Sequence, residues 1–153
     1  MRRIILETYQ VDGVPIMTLA QESAKHRPLV FFVHGFTSDK RQGLRIGYEL
    51  AGRGLFFVGL DAAMHGERFD ERLTTAWEPG EDKVYPPKSG LDAFFLMHEV
   101  IVQTARDIDA LIDHFAGDGR TDAGRVGVTG FSMGGFATFY IAATNPRVQA
   151  AVP

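Results

Sequence analysis

An α/β fold with a mostly parallel sheet and flanking helices is predicted from three observations. First, short apolar runs recur without alternation at Leu29-Val30-Phe31-Phe32-Val33, Leu55-Phe56-Phe57-Val58-Gly59-Leu60 and Arg125-Val126-Gly127-Val128-Thr129. Runs of that kind suit strands covered on both faces, as in a parallel sheet. Second, segments of helical period separate these runs. Third, the order strand, helix, strand, helix is the signature of a layered α/β domain.

The elements follow in order. Ile4 to Tyr9 and Val14 to Leu19 flank Asp12-Gly13, a pair that supplies the positive φ angles of a tight hairpin turn. Ser38 or Asp39 caps a helix carrying Leu44, Gly47, Tyr48 and Ala51 on one face, ended by Gly52 and Gly54. From Leu91 to Phe115 the chain reads as a long helix, with Leu91, Phe94, Phe95, His98, Ile101, Val102, Ala105, Ile108, Leu111, Ile112 and Phe115 on its apolar face. Arg106, Asp107, Asp109 and Asp113 take its other faces, and Gly117 and Gly119 stop it. A last helix runs from about Met133 to Thr144, up to Asn145-Pro146, and Arg147 to Pro153 begins a further strand. Residues 66 to 90 hold Trp77, Pro79, Gly80, Pro86, Pro87 and Gly90 with little periodicity, and read as a lid or binding loop in which Trp77 and Tyr85 pack or line a pocket.

Composition bounds the function. With 153 residues, 45% hydrophobic and 23% charged, the chain makes one globular domain and is not disordered. A net charge of -3 gives no basic footprint for nucleic acid. The absence of cysteine excludes a disulfide framework, a thiol nucleophile and cysteine-ligated metal. The apolar run after Arg2-Arg3 stops at Glu7, too early for a signal peptide or a membrane span, so a cytoplasmic location with no membrane partner is expected.

One motif carries chemistry. Gly130-Phe131-Ser132-Met133-Gly134 fits G-x-S-x-G, with Gly135 added, and about 0.05 matches are expected by chance in a chain with this much glycine and serine. It follows an apolar strand and opens a helix, as a nucleophile elbow requires. Glycines two residues either side of the serine relieve collisions at a sharp turn, and Gly135 is expected to let the helix pack close to the sheet. The alternative is a glycine-rich turn whose serine merely caps the helix. A second element, Phe32-Val33-His34-Gly35-Phe36, ends an earlier strand. The dispersed histidines and carboxylates have no metal-binding spacing, and a serine nucleophile calls for neither a metal nor an organic cofactor.

With His34-Gly35-Phe36-Thr37-Ser38, Asp61-Ala62-Ala63-Met64-His65-Gly66-Glu67-Arg68 and Gly130 to Gly135 in that order, the sequence resembles the α/β-hydrolase superfamily, especially small bacterial carboxylesterases. The resemblance implies that Ser132 is the nucleophile and that the backbone N–H groups of Phe36 and Met133 form the oxyanion hole. It also implies that His34, with Gly35, organises the loop rather than carrying protons. His65 is read as structural, His98 as a core histidine, and His26 and His114 as surface residues.

The superfamily's triad runs Ser, then Asp or Glu, then His. After Ser132 this sequence has none of the three, its last histidine being His114. The later strands of the superfamily are also missing, which leaves the strand carrying the elbow as an apolar edge. The 153 residues are therefore expected to be the N-terminal portion of a single, C-terminally incomplete domain. Three functional readings remain: a carboxylesterase seen in part, acting on a small-molecule ester; a prolyl-oligopeptidase-type peptidase or acyltransferase; or a non-catalytic binding module or split-enzyme half. In the last, a homo-oligomer or a complementing chain covers the exposed sheet edge.

Overall fold

The structure is a computed structural model that describes residues 3–76 and 90–153. Among the described residues, six strands form one sheet in the order β1-β2-β4-β3-β5-β6: β1 Ile4–Val11, β2 Val14–Gln21, β3 Arg27–Val33, β4 Phe56–Leu60, β5 Thr121–Gly130 and β6 Val148–Val152. The hairpin closes with Val11 opposite Val14, and Asp12 and Gly13 both have positive φ, +49° and +79°. Such a turn matches the twist of the flanking strands. β2 pairs antiparallel with β4, while β4–β3, β3–β5 and β5–β6 are parallel. The sheet is mostly parallel, with an antiparallel hairpin at one edge.

Both faces of the central strands are covered, which explains their unbroken apolar runs. Phe31 and Phe56 face one layer and join a core with Ile108, Leu111, Ile112 and Phe115 of α3 (Gly90–Ala116) and Ala137 and Ile141 of α4 (Met133–Thr144). Phe32 and Phe57 face the other layer, with Met17, Leu19 and Ala51. Each fully buried side chain of this size contributes about 1.5–3 kcal/mol relative to exposure.

Helix α1 differs from expectation in its contact face. Asp39 accepts a hydrogen bond from Arg41 N and opens a 3-10 turn, Lys40–Gly43, that runs directly into α1, Leu44–Gly52. Leu44 and Tyr48 are exposed. The sheet-facing positions are Gly43, Gly47 and Ala51, because the Phe32 and Phe57 rings fill the space a side chain would take. A Cβ on Gly43 would lie 2.6 Å from the Phe32 ring, and one on Gly47 the same distance from that of Phe57.

The start of α3 also departs from its expected face. Leu91, Phe94, Phe95 and His98 are exposed, and the buried positions there are Ala93, Leu96 and Val100. At 27 residues the helix is about 40 Å long, while a strand of 5–7 residues spans about 17–23 Å. His98 stands edge-on to Tyr140 rather than in the core. Within the segment read as a loop, Glu71–Ala76 forms a short helix, α2. Trp77, Tyr85 and the rest of residues 77–89 lie outside the described residues. Finally, β5 is not an edge strand. β6 pairs along it, so the open edge belongs to β6.

Candidate active site

Val33 pairs with Gly130 at the ends of the parallel neighbours β3 and β5, so His34-Gly35-Phe36 and Phe131-Ser132-Met133 leave the sheet side by side. Phe131 N donates to Val33 O at 3.1 Å and ties the two departures together. A Cβ on Gly35 would approach the Phe131 ring to 3.1 Å.

Ser132 sits at φ +54°, ψ -114°, a conformation that costs a residue with a side chain about 1–3 kcal/mol. Its hydroxyl makes no capping hydrogen bond to α4, and the residue is exposed. The reading of this serine as a simple helix cap therefore does not describe the geometry. Gly134 N donates to Phe131 O at 2.8 Å and Phe136 N to Ser132 O at 3.1 Å, which locks the turn. Gly130 and Gly134 make it possible: a Cβ on the first would overlap the Gly134 carbonyl, and one on the second the Val33 carbonyl. Gly134, not Gly135, brings α4 onto the sheet, for a Cβ on Gly135 would meet nothing nearer than 3.6 Å. Met133 N–H lies in the unpaired first turn of α4, where the helix end carries partial positive charge.

On the facing loop, His34 is fully buried with both ring nitrogens engaged. Nδ1 donates to Gly35 O at 2.7 Å and Nε2 accepts from Ala62 N at 3.0 Å. Phe36 is half-buried and meets the edge of His65 at 5.4 Å between ring centres. His65 Nδ1 donates to Ala63 O at 2.8 Å, while its buried Nε2 has no partner. Burial holds the pKa of both histidines below the ordinary value. No histidine among the described residues hydrogen-bonds the Ser132 hydroxyl. The Asp61 carboxylate turns away from His65 to Lys40 and Glu67: it accepts from Lys40 N at 2.8 Å, Lys40 Nζ at 2.9 Å and Glu67 N at 2.9 Å.

Sequence reasoning missed Lys40, Gln42 and Glu67. Gln42 Oε1 accepts from Gly35 N at 2.6 Å, and Lys40 Nζ reaches Glu67 at 2.5 Å. Local pattern offered little sign of them, since Asp39-Lys40-Arg41 reads as a solvated charge run. His26 and His114 are exposed, as expected.

Residues 81–153 match the dienelactone hydrolase family. A candidate esterase of Bacillus subtilis (strain 168), YitV, is 35% identical over 137 residues, covering 88% of this chain and 48% of that protein. A cold-adapted esterase from an Arctic intertidal metagenomic library, solved with bound PEG, superposes with a TM-score of 0.66 at 25% identity, over 96% of this chain and 58% of that one. A candidate dienelactone hydrolase from Klebsiella pneumoniae also gives 0.66, at 22% identity, over 97% and 58%. The chain thus spans about half the length of its Bacillus subtilis relative.

Proposed function

We propose that this chain, which shares the α/β-hydrolase fold of a solved esterase and a candidate dienelactone hydrolase, carries the nucleophile and oxyanion hole of a serine hydrolase acting on carboxylic esters. One observation carries the reading. Ser132 is held at φ +54° with a free-standing hydroxyl, between the N-terminal turn of α4 and the loop that follows β3. Its Oγ attacks the acyl carbonyl. The N–H groups of Met133 and Phe36 donate to the tetrahedral oxyanion, and losing one such donor typically costs about a hundredfold or more in rate. The leaving alcohol departs, and water hydrolyses the acyl-enzyme.

A serine hydroxyl needs a base to take its proton. His34 has no free nitrogen, and nothing after Ser132 in these 153 residues is an Asp, Glu or His. In this reading the base and its orienting acid fall to polypeptide other than these residues, continuous with them or in a complementing chain. Among the described residues the outer edge of β6 has no partner strand, which is consistent with such a covering polypeptide.

The test is hydrolysis of p-nitrophenyl acetate, beside an aminoacyl p-nitroanilide, by the native polypeptide bearing these residues. Ester turnover that falls at least about a thousandfold in Ser132→Ala supports the reading. Full activity in that variant removes Ser132 as nucleophile, and a clear preference for the anilide replaces the esterase with a peptidase.

A further inference from the structure

We infer that Lys40 is a positioning residue of the oxyanion hole: with Asp61 and Glu67 it clasps the loop that carries the Phe36 N–H against the loop that follows β4. The inference rests on the serine-hydrolase reading for its catalytic meaning and on the geometry for the clasp itself.

The Phe36 loop is short and is fixed at both ends. At its start, Ala62 N donates to His34 Nε2 and Gly35 N to Gln42 Oε1. At its end, Lys40 is held twice by one carboxylate. Its backbone N–H binds Asp61 Oδ1 at 2.8 Å, and its ammonium binds Oδ2 at 2.9 Å. Between these anchors lies Thr37, in the left-handed region at φ +62°, which the chain does not adopt unaided.

The clasp is built into the interior. The Lys40 side chain is 8% exposed and that of Asp61 is fully buried. Such a pair holds only when its geometry and further hydrogen bonds offset desolvation. Those bonds are present: Glu67 takes the ammonium from the solvent side, and Glu67 N adds a third donor to Asp61. Burial works to lower the Lys40 pKa, but the bonds to Glu67 and Asp61 raise it on balance, so the ammonium stays charged. Gly66 fits the same design. At φ +59° it passes so close to the Asp61 carboxylate that a Cβ there would overlap it.

Removing the ammonium leaves the buried Asp61 carboxylate with backbone donors but no cation, and the loop keeps only the backbone half of its second anchor. Phe36 N–H then drifts from the place where the oxyanion forms. A backbone donor cannot be deleted by mutating its own side chain, so control of its position falls to residues such as Lys40.

The experiment uses the native polypeptide with Lys40→Met, Lys40→Arg and Ser132→Ala. It reads kcat and KM for p-nitrophenyl acetate well below each Tm, and amide hydrogen exchange over residues 34–39. Lys40→Met is expected to lower kcat about tenfold or more with KM within about twofold, and to speed exchange in 34–39 while leaving α3 unchanged. Lys40→Arg, which can still reach Asp61 and Glu67, restores most of kcat. A Lys40→Met protein with lower Tm but unchanged kcat per folded molecule overturns the inference, since Lys40 would then be merely structural. If Lys40→Met does not fold, Glu67→Gln, which loosens the clasp from its exposed side, is read in its place: faster exchange in 34–39 with lower kcat supports the inference, and unchanged kcat overturns it. If Ser132→Ala keeps full activity, the hydrolase reading fails separately. The clasp is then judged on exchange alone, and unchanged exchange in Lys40→Met refutes it.

Discussion

Strain at Ser132 is sustained because the residues two positions either side, Gly130 and Gly134, have no side chains to block the sharp turn. The residue holds φ +54° only while α4 starts directly against β3, and that approach exists because Gly134 has no Cβ. Gly134→Ala must push the helix off the Val33 carbonyl, and Gly130→Ala must push it off from the other side. Each is expected to cost about 2–3 kcal/mol and to remove activity, because the displaced turn no longer aims the serine. Gly135→Ala is the control. Its Cβ would meet only ordinary contacts at 3.6 Å, and alanine favours a helix interior over glycine by about 0.5–1 kcal/mol. Urea unfolding of the three variants checks this: equal losses at 134 and 135 would refute the packing argument. The sequence pattern G-x-S-x-G-G made the elbow legible but could not rank its glycines. The ranking depends on a contact with Val33, a hundred residues earlier in the chain.

Between elements, the loops after β3 and β4 are zipped by a buried imidazole, and acid should loosen them. His34 Nε2 accepts the Ala62 N–H, so only the neutral ring fits. Burial lowers the His34 pKa; the Gly35 carbonyl opposes this, His65 adds to the depression, and Asp61 and Asp39 oppose it. Lys40 and Glu67 complete the charges around the junction. His65 is lowered by burial as well, against the Ala63 carbonyl and Asp61. The unfolded chain therefore binds more protons than the folded one below a pKa of about 6.5. Stability from these histidines is complete above that value and is lost as pH falls through it toward the lower folded pKa. The paired aspartates, such as Asp39 at about 2, whose carboxylate Arg41 stabilises, weaken only in stronger acid. The urea midpoint should thus drop between pH 7.5 and 5.5, and less steeply in His34→Gln. A flat profile in the unmutated protein would contradict the latch. At this scale the sequence was legible where the pattern was local, as in the Asp12-Gly13 hairpin and in α4, whose limits at Met133 and Thr144 match. It was opaque where the partner was distant. α1 docks through Gly43, Gly47 and Ala51, which hydropathy does not mark, and Lys40 is buried only because Asp61 meets it from 21 positions away.

In the whole molecule the covered and uncovered faces are unequal, and the difference falls at one end of the sheet. β4 is buried throughout, while most of β6 is exposed and its outer edge has no partner strand among the described residues. Edges are commonly protected by charge, and Val148–Val152 carries none. The adjoining helix repeats the imbalance: α4 is apolar on nearly every side, and Phe136 and Phe139, one turn apart, are 68% and 64% exposed. A helix apolar all round belongs in an interior. We propose that the polypeptide bringing the acid and base to Ser132 also covers this face, because a layer laid beside β6 and over α4 ends next to the elbow. The prediction is that the 153-residue chain by itself associates through this face. Sedimentation velocity should show species heavier than 16.9 kDa whose share grows with concentration. The double variant Phe136→Lys, Phe139→Lys should shift the distribution toward monomer, since a charge on each exposed ring position opposes burial against another apolar surface. A chain that stays monomeric at every concentration would mean that this face is stable in water, and the coupling between the missing cover and the missing base would fail with it.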